Sequence, residues 1–353
     1  MKTKFEKLIK RLIETNSSDL HLTDLQVPYI RMEGNLIPVK EAGFDVNVIE
    51  MLANVVTETQ FEMLNEKGDL DFAFSFDDVR FRGHLYKQSG KISAAIRKLE
   101  NSFRSFAELG LPDTLRSAVD TRDGLVLVTG PTGSGKSTTL ATIIDEINST
   151  QSRHILTIED PIEYIHSNKK SLIHQRELFT DVASYSSAVK ASLREDPDVV
   201  LIGEMRDVET MRAAIRLAET GHLVLSTLHT SSACGTLERI IGSFPSDEQD
   251  SIIHQLTITL KMIVAQRLIK SKLGELRVPA TEILRVNSAV ANMMRRRKSN
   301  QIYAIIENSR AAGMQTIEQD LHRLYKLGHI DSSTALAYAE YPALLERLIN
   351  SNA

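Results

Sequence analysis

Gly130-Pro131-Thr132-Gly133-Ser134-Gly135-Lys136-Ser137-Thr138 decides how this chain is read, and it follows directly on the apolar run Leu125-Val126-Leu127-Val128. The run predicts a buried strand, the glycines a tight turn, and 137–147 the helix that leaves it. Glycines let successive backbone N–H groups turn inward on a polyanion, and the helix N-terminus adds partial positive charge. Lys136 is spaced to reach β- and γ-phosphates, and the Ser137 hydroxyl to ligate Mg²⁺. An ordinary glycine turn requires neither residue. The stretch predicts a nucleoside triphosphate site.

Working outward, the chain from Asp113 alternates strands (125–128, 154–158, 199–202 and 223–227) with helices. Such alternation predicts an α/β fold with a parallel sheet covered on both faces. Asp207 is placed to cap a helix over 208–219, and Ser246-Asp247-Glu248-Gln249 reads as a capping box for a helix running to about 268. After Pro279 the pattern is mostly helical. Residues 1–100 read differently, as a small α+β domain. An amphipathic helix carries Phe5, Leu8, Ile9, Leu12 and Ile13; a hairpin turns at Glu33-Gly34-Asn35; a second helix covers 46–56. Leu70, Phe72, Phe74 and Phe76 then share one strand face, continued after Asp77-Asp78 by Val79, Phe81 and Leu85. The opposite face of that second strand bears Arg80, Arg82 and His84, and a third strand at 92–96 precedes Arg97. Residues 101–112 read as a linker, and 113–353 as the nucleotide-binding domain.

Composition bounds the rest. A chain of 353 residues, 42% hydrophobic and 25% charged, has ample core material and suggests two domains. A formal charge of −4 gives no global pull toward nucleic acid or anionic lipid. The single cysteine, Cys234, excludes an internal disulfide and a multi-cysteine zinc module, and fits a reducing cytoplasm. No signal-peptide core and no run of about 18 apolar residues occurs, so membrane work is expected to go through partners.

Other clusters carry chemistry. Val199-Val200-Leu201-Ile202-Gly203-Glu204 is an apolar strand ending in a carboxylate, which beside a phosphate loop is placed to polarise the attacking water. Glu159, Asp160 and Glu163 lie at another strand end and could surround a hydrated Mg²⁺; a solvated acidic turn is the alternative. His222 and His229 bracket one strand, too far apart to share a metal, and either could sense the γ-phosphate or be structural. Arg194 and Arg206 could neutralise phosphate charge or make local ion pairs. On the residues alone, Arg80, Arg82 and Arg97 belong to a solvated sheet face. Arg295-Arg296-Arg297-Lys298 is the one dense basic run; with 5% aromatics and no Trp it makes a poor nucleic-acid platform, and it reads as a solvated helix end or, more sharply, as a surface for an acidic protein partner.

Taken together, the phosphate loop, Thr157-Ile158-Glu159-Asp160-Pro161-Ile162-Glu163, Leu193-Arg194-Glu195-Asp196-Pro197-Asp198 through Asp207, and Ala218-Glu219-Thr220-Gly221-His222-Leu223 resemble the type IV pilus retraction ATPase (PilT) family. The likeness extends to Ser18-Asp19-Leu20-His21-Leu22, Arg80-Phe81-Arg82 and Gly313-Met314-Gln315-Thr316. It implies a hexameric, cytoplasmic ATP- and Mg²⁺-dependent motor of the secretion-ATPase superfamily, with a PAS-like N-terminal domain and a RecA-like ATPase domain ending in helices. Glu204 would be the catalytic glutamate, Glu163 the acidic-box residue near the metal, and His222 and His229 the histidine box. Arg80, Arg82 and Arg97 would swing onto the phosphates when the domains close. The partner would be the inner-membrane pilus platform protein, with no nucleic acid and no direct membrane insertion.

Assembly-type relatives carry a tetracysteine insertion after the segment matching Gln266-Arg267-Leu268. Only about a dozen residues, none of them cysteine, separate Leu268 from Glu282. That favours retraction over a pilus-assembly or secretion ATPase. Two departures leave a specialised paralogue open: Ala289-Val290-Ala291-Asn292-Met293-Met294-Arg295-Arg296 stands where the family has an A-I-R-N-L-I-R-E-like segment, and Gly83 where it has valine. Rivals of other classes are a nucleotide-gated scaffold without turnover and a nucleic-acid translocase.

Overall fold

The structure, a computed structural model, describes residues 2–32, 34–43, 46–77, 79–99, 103–274 and 277–351. Glu33 and Asp78 of the two expected turns, and residues 101–102 of the expected linker, lie outside these. Contacts divide the chain into two units. The first takes Met1–Ser102, Asp160–His166 and Glu177–Asp181; the second takes Phe103–Glu159, Ser167–Arg176 and Val182–Ala353.

In the first unit the elements are α1 (Lys2–Glu14), β1 (Asp19–Thr23), β2 (Tyr29–Met32), β3 (Asn35–Pro38), α2 (Val48–Leu52), α3 (Glu58–Lys67), β4 (Asp69–Phe76), β5 (Val79–Gln88) and β6 (Lys91–Lys98). The six strands form one antiparallel sheet in the order β3-β2-β1-β6-β5-β4. Period-two alternation puts Leu70, Phe72, Phe74, Phe81 and Leu85 into one core with Phe5, Leu8, Ile9 and Leu12 of α1. Gly83 faces the same core. A Cβ built there would lie 2.1 Å from the Phe72 ring, so the aromatic occupies the space a valine would need.

In the second unit α4 (Arg116–Val119) leads into β7 (Gly124–Thr129), α5 (Lys136–Thr150), β8 (His154–Glu159), β9 (Leu172–Glu177, its last residue counted with the first unit), α6 (Tyr185–Ser192), β10 (Val199–Ile202), α7 (Val208–Glu219) and β11 (Leu223–Leu228). There follow α8 (Ala233–Ser243), α9 (Gln249–Thr259), β12 (Leu260–Lys270), β13 (Arg277–Arg285), α10 (Ser288–Arg295), α11 (Ile302–Asn308), α12 (Ile317–Lys326), α13 (Ser332–Tyr338) and α14 (Pro342–Asn350). The seven strands are ordered β13-β12-β7-β11-β10-β8-β9, parallel from β12 through β8, with β13 antiparallel. Every residue of β7, β10 and β11 is buried, as strands covered on both faces require. Asp207 accepts from the Thr210 amide and caps α7, as its sequence predicts.

Several expectations need correction. The helix expected to run to about 268 ends at Thr259; 260–270 is strand β12, paired in parallel with β7. An apolar run such as Met262-Ile263-Val264-Ala265 suits a buried helix or a buried strand equally, and the neighbouring β7 decides it. The expected capping box is absent, since Glu248 is the cap and no side chain closes it. The helix expected over 46–56 is cut to Val48–Leu52, with Asn47 as its cap. Pro279 lies inside β13, tolerated because this is an edge strand. Residues 103–112 are not a free connector: Phe106 and Leu111 are buried in the core of the second unit.

Candidate phosphate-binding site

The parallel strands end together. Thr129 pairs with Leu228, and Ile202 with both Ser226 and Ile158. Gly130, Glu159, Gly203 and His229 therefore leave the sheet at one edge, the carboxyl end where α/β sheets hold ligands.

Two loop glycines are required by geometry. Gly130 has φ +147° and Gly135 φ +87°; a Cβ on the first would sit 2.3 Å from the main-chain oxygen of Gln266, and on the second 2.8 Å from Gln266 Nε2. Gln266 is what the loop is folded against. Buried within β12, it donates through Nε2 to the Ser134 carbonyl (2.7 Å) and accepts from Thr139 Oγ1 (2.8 Å). Sequence reading missed it because it placed this segment on a helix. Recognised as a strand beside β7, the segment would have put Gln266 just past the residue opposite Thr129.

Lys136 opens α5 and turns its ammonium back across the loop, donating to the carbonyls of Gly130 (2.9 Å) and Pro131 (3.1 Å). Ser134 Oγ is buried without a hydrogen-bond partner among the described residues. An unpaired hydroxyl in a loop rimmed by an ammonium and the start of a 15-residue helix fits a phosphate chain. Pro131, Thr132, Gly133 and Ser137 are exposed and Thr138 partly so, leaving the outer side of the loop and the Ser137 hydroxyl accessible.

Glu204, two residues beyond β10, is 9% exposed. Its carboxylate pairs with Arg206, and Oε2 lies 3.2 Å from His229 Nε2. The Met205 amide donates to Thr227 O and Thr227 Oγ1 to Gly203 O, so β11 fixes both partners of the Glu204–His229 contact. His222 is elsewhere: it sits at the start of β11, its Nδ1 3.1 Å from Leu217 O and 3.0 Å from Thr220 Oγ1. Within this chain a strand's length separates it from His229.

The acidic segment is not gathered into a metal cage. Glu159 Oε1 accepts from Thr157 Oγ1 (2.7 Å) and Gln175 Nε2 (3.2 Å). Asp160 and Glu163 belong to the first unit, where Glu163 pairs with Arg82 at 3.5 Å. Among the described residues no three His, Cys, Asp or Glu side chains converge as a metal site. Mg²⁺ needs no such cage, since it keeps waters and takes one or two protein ligands plus phosphate oxygens.

The three arginines of the first unit differ in setting. Arg80 is held tightly: Nη2 meets Glu177 Oε2 at 2.6 Å and Nε donates to Ile162 O. Burial pushes the Glu177 carboxyl above its usual range, against the pull of the Ile162 amide and Arg80. Arg82 and Arg97 are direct cross-strand partners. Like charges so placed repel, and each has its own carboxylate: Asp71 and Glu163 for Arg82, Asp19 for Arg97 at 2.7 Å. Glu177 and Asp19 were not singled out from the sequence, since their role depends on contacts across 97 and 78 residues.

A buried strand, a glycine loop closed by Lys136, and a glutamate on the next-but-one strand define a P-loop phosphate-binding protein. The profile of the family described as "Type II/IV secretion system protein" matches residues 2–335. The chain is 41% identical over 332 residues to the "Type IV pilus retractation ATPase PilT" of Pseudomonas aeruginosa, spanning 92% of this chain and 95% of that protein. It is 40% identical to a "Twitching motility protein" of Neisseria gonorrhoeae over 93% of this chain and 88% of the other. A crystal structure of the pilus retraction motor PilT with bound ADP superposes with TM-score 0.89 at 43% identity, covering 97% of this chain and 98% of that one. The chain belongs to the type II/IV secretion system protein family and, within it, to the PilT family.

Proposed function

We propose that this chain is an ATP-hydrolysing subunit of a hexameric motor that retracts a type IV pilus. What carries the reading is the 41% identity, along nearly the whole chain, to an ATPase named for pilus retraction. The short β12–β13 connection favours retraction over assembly, because β12 and β13 pair continuously from Met262–Arg285 to Lys270–Arg277, leaving no room for a cysteine-bearing insertion. In this reading the first unit is PAS-like and the second, which takes in 103–112, is a RecA-like ATPase domain with C-terminal helices.

The loop amides of 130–135 and Lys136 would hold the triphosphate, with Ser134 Oγ and Thr138 beside it. Mg²⁺, held by the Ser137 hydroxyl and through water by Glu159, Asp160 or Glu163, would neutralise phosphate charge. Glu204 would take the proton of the attacking water, oriented by His229. Arg80, Arg82 and Arg97 would clamp the phosphates and exclude water; His222 would belong with His229 to the histidine box. Movement of the first unit would be passed to an inner-membrane platform protein. The ring would sit at the inner face of the cytoplasmic membrane through that partner; among the described residues no helix is long and apolar enough to cross a membrane.

The test is Glu204→Gln in the full chain. It keeps the shape of the site and removes the base, so it should bind ATP and assemble normally while turnover falls about a hundredfold or more. Near-normal turnover would remove Glu204 from the mechanism. Deletion of the gene then decides the direction of work: hyperpiliated, non-twitching cells mean retraction, and bald cells mean assembly.

A further inference from the structure

Glu282 plays no part in the site as described, yet it is 2% exposed on β13. Its Oε1 accepts from the Ala233 amide at 2.6 Å. Ala233 is the first residue of α8, four residues beyond His229. The intervening segment is tied elsewhere too. Thr230 Oγ1 lies 2.6 Å from Thr236 Oγ1, which itself reaches Thr129 Oγ1, the last side chain before the phosphate loop, at 3.4 Å. Arg267 donates to the Ser231 carbonyl. A carboxylate at the positive end of an 11-residue helix makes a charge-assisted bond stronger than a neutral one.

We propose that Glu282 is a positioning residue: its carboxylate ties the start of α8, and with it the segment carrying His229, to β13, so that His229 stays against Glu204. The inference rests on the ATPase reading above and adds to it a residue outside the site. Its charge is conditional. Burial pushes the Glu282 carboxyl up to about 7; Glu340 and Glu318 add to this, while Arg267 and the Ala233 amide oppose it. Cys234 of α8 and Tyr341, ahead of α14, face the same carboxyl. The bond to α8 is therefore charge-assisted above neutral pH and loses its charge below it.

A satisfied buried acid with only a structural part would leave the shape of the pH profile alone, which makes the profile the deciding measurement. ATP turnover by the full chain is followed from about pH 5.5 to about pH 9, at limiting and saturating ATP, for wild type, Glu282→Gln and Glu282→Leu. Wild-type kcat should rise with a midpoint near 7, where the Glu282 carboxyl titrates. Glu282→Gln keeps an acceptor of the same shape without the charge. That rise should vanish, with kcat at high pH lowered on the order of tenfold and KM for ATP unchanged. Glu282→Leu, with no acceptor for the Ala233 amide, should lose more. A Gln variant with the wild-type limb and wild-type kcat overturns the proposal, as does a parallel change in KM. Absence of turnover in the wild type overturns the ATPase reading itself, so the two failures are distinguishable.

Discussion

Gln266 and Ser134, 132 residues apart in sequence, are joined by a 2.7 Å hydrogen bond from the side-chain amide of one to the main-chain carbonyl of the other. Through it β12 fixes the geometry of the phosphate loop, and the same side chain holds Thr139 in the first turn of α5. Gln266→Leu would strand a buried carbonyl and a buried hydroxyl, at a cost of roughly 2–3 kcal/mol. We expect a lower denaturation midpoint and an ATP KM raised several-fold; equal affinity for ATP in both proteins would show that the loop holds its shape without this bond.

Arg80 and Arg82 stand two residues apart on β5 and should part company on stability. The Arg80–Glu177 pair is nearly buried, with side chains 12% and 8% exposed. Arg80→Ala leaves an unpaired buried carboxylate, costing about 3 kcal/mol. Arg82 and its partners are a third to a half exposed, so Arg82→Ala should cost under about 1 kcal/mol. Under the proposed clamp both variants lose turnover. Urea denaturation with phosphate-release assays separates the cases, and an Arg82→Ala protein with full turnover would remove that residue from the clamp.

Gly83 leaves room for Phe72, whose ring fills the space a larger side chain would need. With the ring 2.1 Å from a built Cβ, Gly83→Val must displace a fully buried aromatic and should cost roughly 1–3 kcal/mol or more. Pairing it with Phe72→Ala should recover part of that loss, read from thermal melts of the single and double variants. Additive losses in the double variant would contradict this account.

Glu282 also predicts a stability profile that depends on pH. Its carboxyl is raised from an ordinary 4.5 to about 7 on folding, so the folded state holds a proton that the unfolded state has released between those values. Stability from this group is complete below about 4.5, falls as pH rises to 7, and stays reduced by roughly 3 kcal/mol above it. Glu282→Gln should therefore gain on the wild type between pH 5 and pH 7 and hold its advantage at pH 8. A melting-temperature difference that does not move with pH would contradict this. A residue that lowers stability while serving a site elsewhere is a familiar trade.

Much of the site was legible in the primary structure because it is local. The spacing from Gly130 to Thr138, the apolar run before it, and the strand ending before Glu204 lie within a few residues of one another, and the backbone turns the way such spacing demands. The Asp207 cap and the arginine face of β5 were readable for the same reason, since capping and strand alternation are short-range. The reading failed at 260–270 and over 46–56, where apolar composition suits either element and distant neighbours choose.

The sequence by itself determined that a phosphate loop follows a buried strand, that a carboxylate ends a parallel strand, and that one cysteine is too few for a multi-cysteine zinc module. Only the tertiary structure decided that Gln266 holds the loop, that Glu177 and Asp19 anchor Arg80 and Arg97, that His229 meets Glu204 while His222 does not, and that Glu282 reaches α8. The reason is physical. Local motifs are set by backbone torsions and near-neighbour hydrogen bonds, whereas these partners meet only after strands far apart in the chain have paired and shut out water.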